Sequence, residues 1–231
     1  MKNSSWIGLV VVFTVFCATP PRIVNAQEKA TQEKPVKTAE EKIEWTPLFN
    51  GKDLTNWKKS GFGGEGEVEV VDGSIVLFMG GGRITGITLT KEFPKTNFEI
   101  HLEARRAKGS DFFCGLTFPV ADSHASLICG GWGGSVTGIS SIDGNDASEN
   151  SSSKYLKYEN GKWYDIRLRV TPKKIEAWID GKQEIDVELE DHRISTRIEV
   201  DRSKPLGISA FESQSEIRKL EWRAIKPEGG K

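Results

Sequence analysis

Two stretches of this chain alternate apolar and polar residues with a period of two, which restricts them to strands that bury one face. In NFEIHLEARRA, Phe98, Ile100, Leu102 and Ala104 fall on one side and Glu99, His101, Glu103 and Arg105 on the other. In KWYDIRLRV, Tyr164, Ile166, Leu168 and Val170 oppose Asp165, Arg167 and Arg169. EVEVVDGSIVLFM reads as two strands around Asp72-Gly73, and KIEAWID with QEIDVEL as a hairpin around Asp180-Gly181. Asp-Gly suits a type I′ turn because both central residues need positive φ. ITGITLTKEF, DFFCGLTFPV, HASLICGG, SVTGISSI, PLGISAF and EIRKLEWRAI are further strand signals, and no stretch shows helical periodicity.

About a dozen short strands without amphipathic helices must bury their apolar faces against each other. The expected fold is all-β, a two-sheet antiparallel sandwich of jelly-roll type, in one domain over residues 43–226. The 24 glycines follow no repeat and sit at strand ends and loops. A net charge of −1 argues against a nucleic-acid partner or an anionic membrane surface, which call for a surplus of Lys and Arg.

Residues 1–26 read as an export signal: Lys2, an apolar run from Trp6 to Ala18, and Val24-Asn25-Ala26 before a cut at Gln27. The run is shorter than the ~20 residues of a membrane-spanning helix. No membrane span is expected after cleavage, and the location is periplasmic or extracellular; an uncleaved anchor is the alternative. Cys17 as a lipid-attachment site is disfavoured by the bulky Phe16 before it. Residues 27–42 have little to bury and read as a charged flexible linker, and residues 227–231 as a tail. A hairpin turning near Ala121-Asp122 places Cys114 opposite Cys129, either as a cross-strand disulfide or as two buried thiols.

KWYDIRLRVTPKKIEAWIDGK resembles the penultimate hairpin of concanavalin A-like and laminin-G-like sandwiches. Trp45 followed by LFNGKDLTNW (Leu48 to Trp57) closely resembles the opening motif of the 3-keto-disaccharide hydrolase family. The resemblance spans Trp45 to Ile225 and implies a concanavalin A-like jelly roll acting on oxidised glycosides. The middle of the chain departs from the family pattern. Members often carry an Asn-Ser-Gly turn, a strand ending in Arg, and a strand alternating Glu and Gln. Here KGSDFFCGLTFP has no Arg, and ASLICGGWGG has no carboxylate.

Cleaving a 3-keto-glycoside by elimination needs a base for the C2 proton, a donor or cation for the developing enolate, and an acid for the leaving oxygen. Direct hydrolysis would need two carboxylates at a set separation. Candidate catalytic groups are His124 at the start of a strand, Asp143, Asp146 and Glu149 in one acidic loop, and Arg83 after three glycines. Candidate sugar contacts are Trp132, uncovered by flanking glycines, His101 and Arg105 on a polar strand face, and Asn145. Arg105 and Arg106 point to opposite faces, so only one can join a given site.

No cofactor is expected. Asp143, Asn145, Asp146 and Glu149 could hold Ca²⁺, but they lack EF-hand spacing. P-loop, dinucleotide-binding, zinc and nucleophile-elbow motifs are missing from the sequence. Three functions fit: an exported enzyme cleaving 3-keto-disaccharides, a non-catalytic lectin-like module, or an inert adhesion domain. The partner expected is a carbohydrate, and the oligomeric state is open.

Overall fold

The computed structural model describes residues 44–226. The expected export signal with Cys17, the linker and the tail lie outside the described residues. Among the described residues fifteen strands follow in order. The first five are β1 (Thr46–Pro47), β2 (Trp57–Lys59), β3 (Val68–Val71), β4 (Ser74–Leu77) and β5 (Thr85–Leu89). β6 (Phe98–Gly109), β7 (Cys114–Val120), β8 (Ser123–Gly131), β9 (Val136–Ser140) and β10 (Lys154–Tyr155) follow. The last five are β11 (Tyr164–Val170), β12 (Lys174–Ile179), β13 (Lys182–Glu188), β14 (Gly207–Ala210) and β15 (Ser213–Ala224). A short 3₁₀ helix, Ile198–Ser203, precedes β14.

The strands pair antiparallel in two sheets. One has eight strands, ordered β13-β12-β11-β6-β15-β4-β3 with β1 added on β15. The other has seven, ordered β10-β9-β8-β7-β14-β5-β2. The all-β sandwich expected from the alternation is the fold observed. Both Asp-Gly turns take positive φ at both positions, 48° and 76° at Asp72-Gly73 and 50° and 78° at Asp180-Gly181. Cys114 faces Cys129 across β7 and β8, and both are buried free thiols.

The inner faces build one core. Phe98, Ile100, Leu102, Ile166 and Leu168 meet Ile87, Leu116, Phe118, Leu127 and Ile139 from the opposite sheet. Each fully buried large apolar side chain stabilises the fold by about 1.5–3 kcal/mol. The outer face of the eight-stranded sheet is ionic and aromatic. Glu99, wholly buried, accepts from Arg169 Nε at 2.6 Å and Arg223 Nε at 2.5 Å. Arg105 and Arg218 lie over the Trp163 ring, 4.7 and 4.0 Å from its centroid.

The seven-stranded sheet is built differently, and this difference positions the site. Its outward residues are small: Thr88, Gly207, Thr117, Ser126 and Ser140 form one row across five strands. Gly86, Ser209, Gly115, Ile128 and Gly138 form the next. A floor this flat lets covering segments press against it. A Cβ on Gly207 would stand 2.6 Å from the Ser203 carbonyl oxygen, and one on Gly138 would stand 3.0 Å from that of Ala147. Thr88 Oγ1 donates to the Arg202 carbonyl at 2.7 Å, tying the 3₁₀ helix to β5. This helix was not expected: its segment shows no helical period.

Candidate functional site

Between these covering segments, over the outer face of the seven-stranded sheet, lies a cavity of about 520 Å³. Trp132, Phe112 and Phe211 give it aromatic walls, and Arg83, Arg197 and Glu199 give it charge.

Trp132 follows β8 in a glycine turn with φ 48° at Trp132, 83° at Gly133 and 107° at Gly134. Its indole stays 42% exposed. Asp111 holds the turn, accepting from the Gly133 N–H at 2.8 Å with one oxygen and from the Phe112 N–H at 2.7 Å with the other. Beneath it lies Arg106, buried on the inner side of β6. Its guanidinium donates to the carbonyls of Asp111 and Tyr158 at 3.1 Å each and to Asn160 Oδ1 at 2.6 Å. Burial pushes the Arg106 pKa down. Of the adjacent arginines, then, Arg106 supports this wall, while Arg105 points outward from the eight-stranded sheet.

Arg197 enters the cavity just before the 3₁₀ helix. Its Nη1 donates to Asp146 Oδ2 at 2.8 Å and its Nη2 to Glu199 Oε1 at 2.8 Å. The hydrogen bonds to Glu199 raise the Arg197 pKa and hold the Glu199 carboxyl below its ordinary range. Asp146 is itself fixed by the Ser148 N–H and hydroxyl at 3.0 and 2.7 Å. Arg83 differs: it lines the cavity and has no acidic partner among the described residues. A cation with its donors free and a second cation braced by two carboxylates face aromatic walls across one cavity. Such a set can stack against the C–H face of a sugar ring and donate to its oxygens.

Of the residues singled out from sequence, Arg83 and Trp132 line this cavity, and Asp146 acts on it through Arg197. Asp143 turns away, accepting from His192 Nδ1 at 2.7 Å and the Arg193 N–H at 2.8 Å; these bonds lower its pKa. Asn145 and Glu149 are exposed on the same loop. The four oxygen-bearing residues proposed for Ca²⁺ therefore do not converge. Among the described residues no group of three or more His, Cys, Asp or Glu is placed to hold a metal ion. His124 pairs with Pro119 in register and does not line the cavity; burial, then Lys204, pushes its pKa down. His101 and Arg105 stand on the other sheet, so they share no pocket with Trp132. Arg105 is paired with Glu216, which accepts from its Nε at 2.9 Å and its Nη2 at 2.6 Å.

Sequence reasoning missed Arg197, Glu199, Asp111 and the two phenylalanines. Asp111 had a readable signal, an acid beside the expected strand and turn. Arg197 and Glu199 had none, because only the chain's path across β5 and β14 brings them to the cavity.

A family model for the 3-keto-alpha-glucoside-1,2-lyase-like domain matches residues 44–226. The chain belongs to this family. None of the curated proteins compared with it matches. Solved structures share the fold. A candidate glycosyl hydrolase from Parabacteroides distasonis is 15% identical with a TM-score of 0.51, over 79% of this chain and 94% of that one. The carbohydrate-binding module CBM66 from Bacillus subtilis is 10% identical with a TM-score of 0.52, over 74% and 98%. The carbohydrate recognition domain of Emp46p is 16% identical with a TM-score of 0.51, over 80% and 100%. The lyase-like family thus shares its sandwich with both enzyme-like and sugar-binding proteins.

Proposed function

We propose that this protein binds a saccharide in the cavity over the seven-stranded sheet. The observation that carries it is the half-exposed Trp132 indole facing Arg83 and Arg197 across one cavity. The indole offers a surface for the axial C–H groups of a sugar ring, and the guanidinium groups donate to its oxygens. The family's name supports a 3-keto-glucoside as the ligand class, since a keto oxygen is a strong acceptor for such donors. Titration of the purified domain with a 3-keto-disaccharide, followed by calorimetry, tests this. Binding weakened in Trp132→Ala supports it; equal binding by wild type and variant contradicts it.

A second reading, cleavage by elimination, is supported by the free guanidinium of Arg83. A base takes the C2 proton, the C3 oxygen carries the enolate charge beside Arg83, and the C1–O bond breaks as C1=C2 forms. The departing oxygen takes up a proton, and water can add later. Glu199 lines the cavity but is held ionised by Arg197, which makes it a weak base. Saccharide binding is therefore the reading the geometry supports best. Product analysis separates the two: an unsaturated keto sugar that depends on Arg83 indicates turnover. We also propose export, which would place the site outside the cytoplasm; a mature N-terminus at Gln27 is the expected result of sequencing.

A further inference from the structure

A second cavity, of about 420 Å³, opens on the outer face of the eight-stranded sheet. This lies within the ~300–1,000 Å³ of small-molecule sites. It is separate from the Trp132 cavity, being built on the other sheet. Its sides are Trp45 and Trp178, and His101, Asp165, Arg167 and Glu221 supply the polar lining.

Strand register assembles it. Trp178 on β12 stands opposite Arg167 on β11, Arg167 opposite His101 on β6, and His101 opposite Glu221 on β15. Four outward side chains thus form one row across four strands. Asp165 lies two residues from Arg167 on β11, on the same face.

The hydrogen bonds within the row leave a specific set of groups unused. His101 Nε2 meets Asp165 Oδ2 at 2.6 Å, and its Nδ1 meets Glu221 Oε1 at 2.9 Å. The imidazole therefore occupies one oxygen of each carboxylate and fixes both in orientation. Among the described residues, Asp165 Oδ1 and Glu221 Oε2 remain as free acceptors. Arg167 has no acidic partner among the described residues; its guanidinium lies on the Trp178 ring, 4.1 Å from the centroid. Stacking fixes the guanidinium plane and leaves its N–H edge as a set of free donors.

The chemistry of this set selects a ligand class. An anion would face two carboxylates, and a cation would face Arg167. A neutral polyol satisfies both, donating hydroxyl protons to Asp165 and Glu221 and accepting from Arg167, while packing beside indoles whose rings already carry Arg167 and Arg169 (Trp178) and Arg223 (Trp45). We propose that this face carries a second saccharide site, with Trp45 and Trp178 as walls and Asp165, Glu221 and Arg167 as its polar contacts. The domain would then hold glycan on both outer faces and could bridge two chains or two points on one chain.

The test follows the tryptophan indole N–H signals by NMR while maltotriose, cellotriose, mannotriose and xylotriose are added separately to millimolar concentration. The proposal expects at least one of them to move the Trp45 and Trp178 signals, both in wild type and in Trp132→Ala. Arg167→Gln, which breaks no ion pair, and Trp178→Ala should each weaken that response by about tenfold, or about 1.4 kcal/mol. No movement of these two signals with any of the four sugars overturns the proposal. So does an undiminished response in Arg167→Gln. So do shifts from inorganic phosphate at lower concentration than from any sugar, which would make this an anion site. The Trp132 signal reports the first site independently, so failure of one site is distinguishable from failure of the other.

Discussion

Arg197 and Asp146, 51 residues apart in sequence, meet with Nη1 2.8 Å from Oδ2. That contact joins the acidic loop after β9 to the segment entering the 3₁₀ helix, and it aims a guanidinium into the Trp132 cavity. Asp146→Asn should keep the fold and leave Glu199 as the one carboxylate bracing Arg197. The expected result is roughly tenfold weaker saccharide binding, with unfolding free energy changed by no more than about 1 kcal/mol, as for a half-exposed ion pair. Calorimetry and chemical denaturation of one preparation check both.

Trp132 projects from a turn fixed by backbone bonds to Asp111 and leaves 42% of its surface exposed. Trp132→Ala should therefore leave the melting temperature within about 2 °C while weakening binding by about 1 kcal/mol, roughly fivefold. Parallel melting and titration curves measure this.

Arg106 is the opposite case. Its three acceptors are backbone or amide oxygens in a buried setting, and truncation leaves them unpaired. Arg106→Met should destabilise by about 2–4 kcal/mol, and Arg106→Lys should recover little because an ammonium cannot span the same fork. Denaturant midpoints of the two variants provide the comparison.

How much of this was legible in the sequence divides along the two sheets. The outer face of the eight-stranded sheet alternates charged and apolar residues, so β6 and β11 read correctly down to the residue. The seven-stranded sheet is covered on both sides, and its outward positions are, apart from Ile128, mostly Gly, Ser and Thr, which carry no chemistry in a one-dimensional reading. What matters there is a consequence of their smallness: Gly207 lets Ser203 close in, and Gly115 lets Phe112 lie flat. Trp132 and Arg83 could be picked out by their glycine neighbours, whereas Arg197 reaches the cavity only through topology. The resemblance carried by LFNGKDLTNW gave the family but not the site, since the polar middle strands it implies are replaced here by this small-residue floor.

The floor itself makes a prediction. A methyl group on Gly207 would stand 2.6 Å from the Ser203 carbonyl oxygen and 2.8 Å from both the Ser203 Cβ and the Ile87 carbonyl oxygen on β5, so both the helix and the strand must shift. Gly207→Ala should push the 3₁₀ helix outward at a cost of about 1–3 kcal/mol, lowering the melting temperature by roughly 2–4 °C per kcal/mol. Binding should weaken as Arg197 and Glu199 move with the helix.

On the other face, His101 gives a pH signature. Burial opposes its charged form, but the hydrogen bonds to Asp165 and Glu221 outweigh this, and its pKa is raised above the ordinary 6.5. A raised folded value means its stabilisation is fully present below pH 6.5 and is lost as pH rises through the folded pKa. The stability difference between wild type and His101→Gln should therefore be largest in mild acid and shrink in mild alkali. Denaturation midpoints across that range measure it.

The most direct test is calorimetric titration of a 3-keto-disaccharide into wild type, Trp132→Ala and Arg83→Gln, all verified as folded. A saccharide site in this cavity predicts saturable binding by wild type that both substitutions weaken by roughly fivefold or more. Equal affinity in all three proteins, or no binding by wild type, would contradict it.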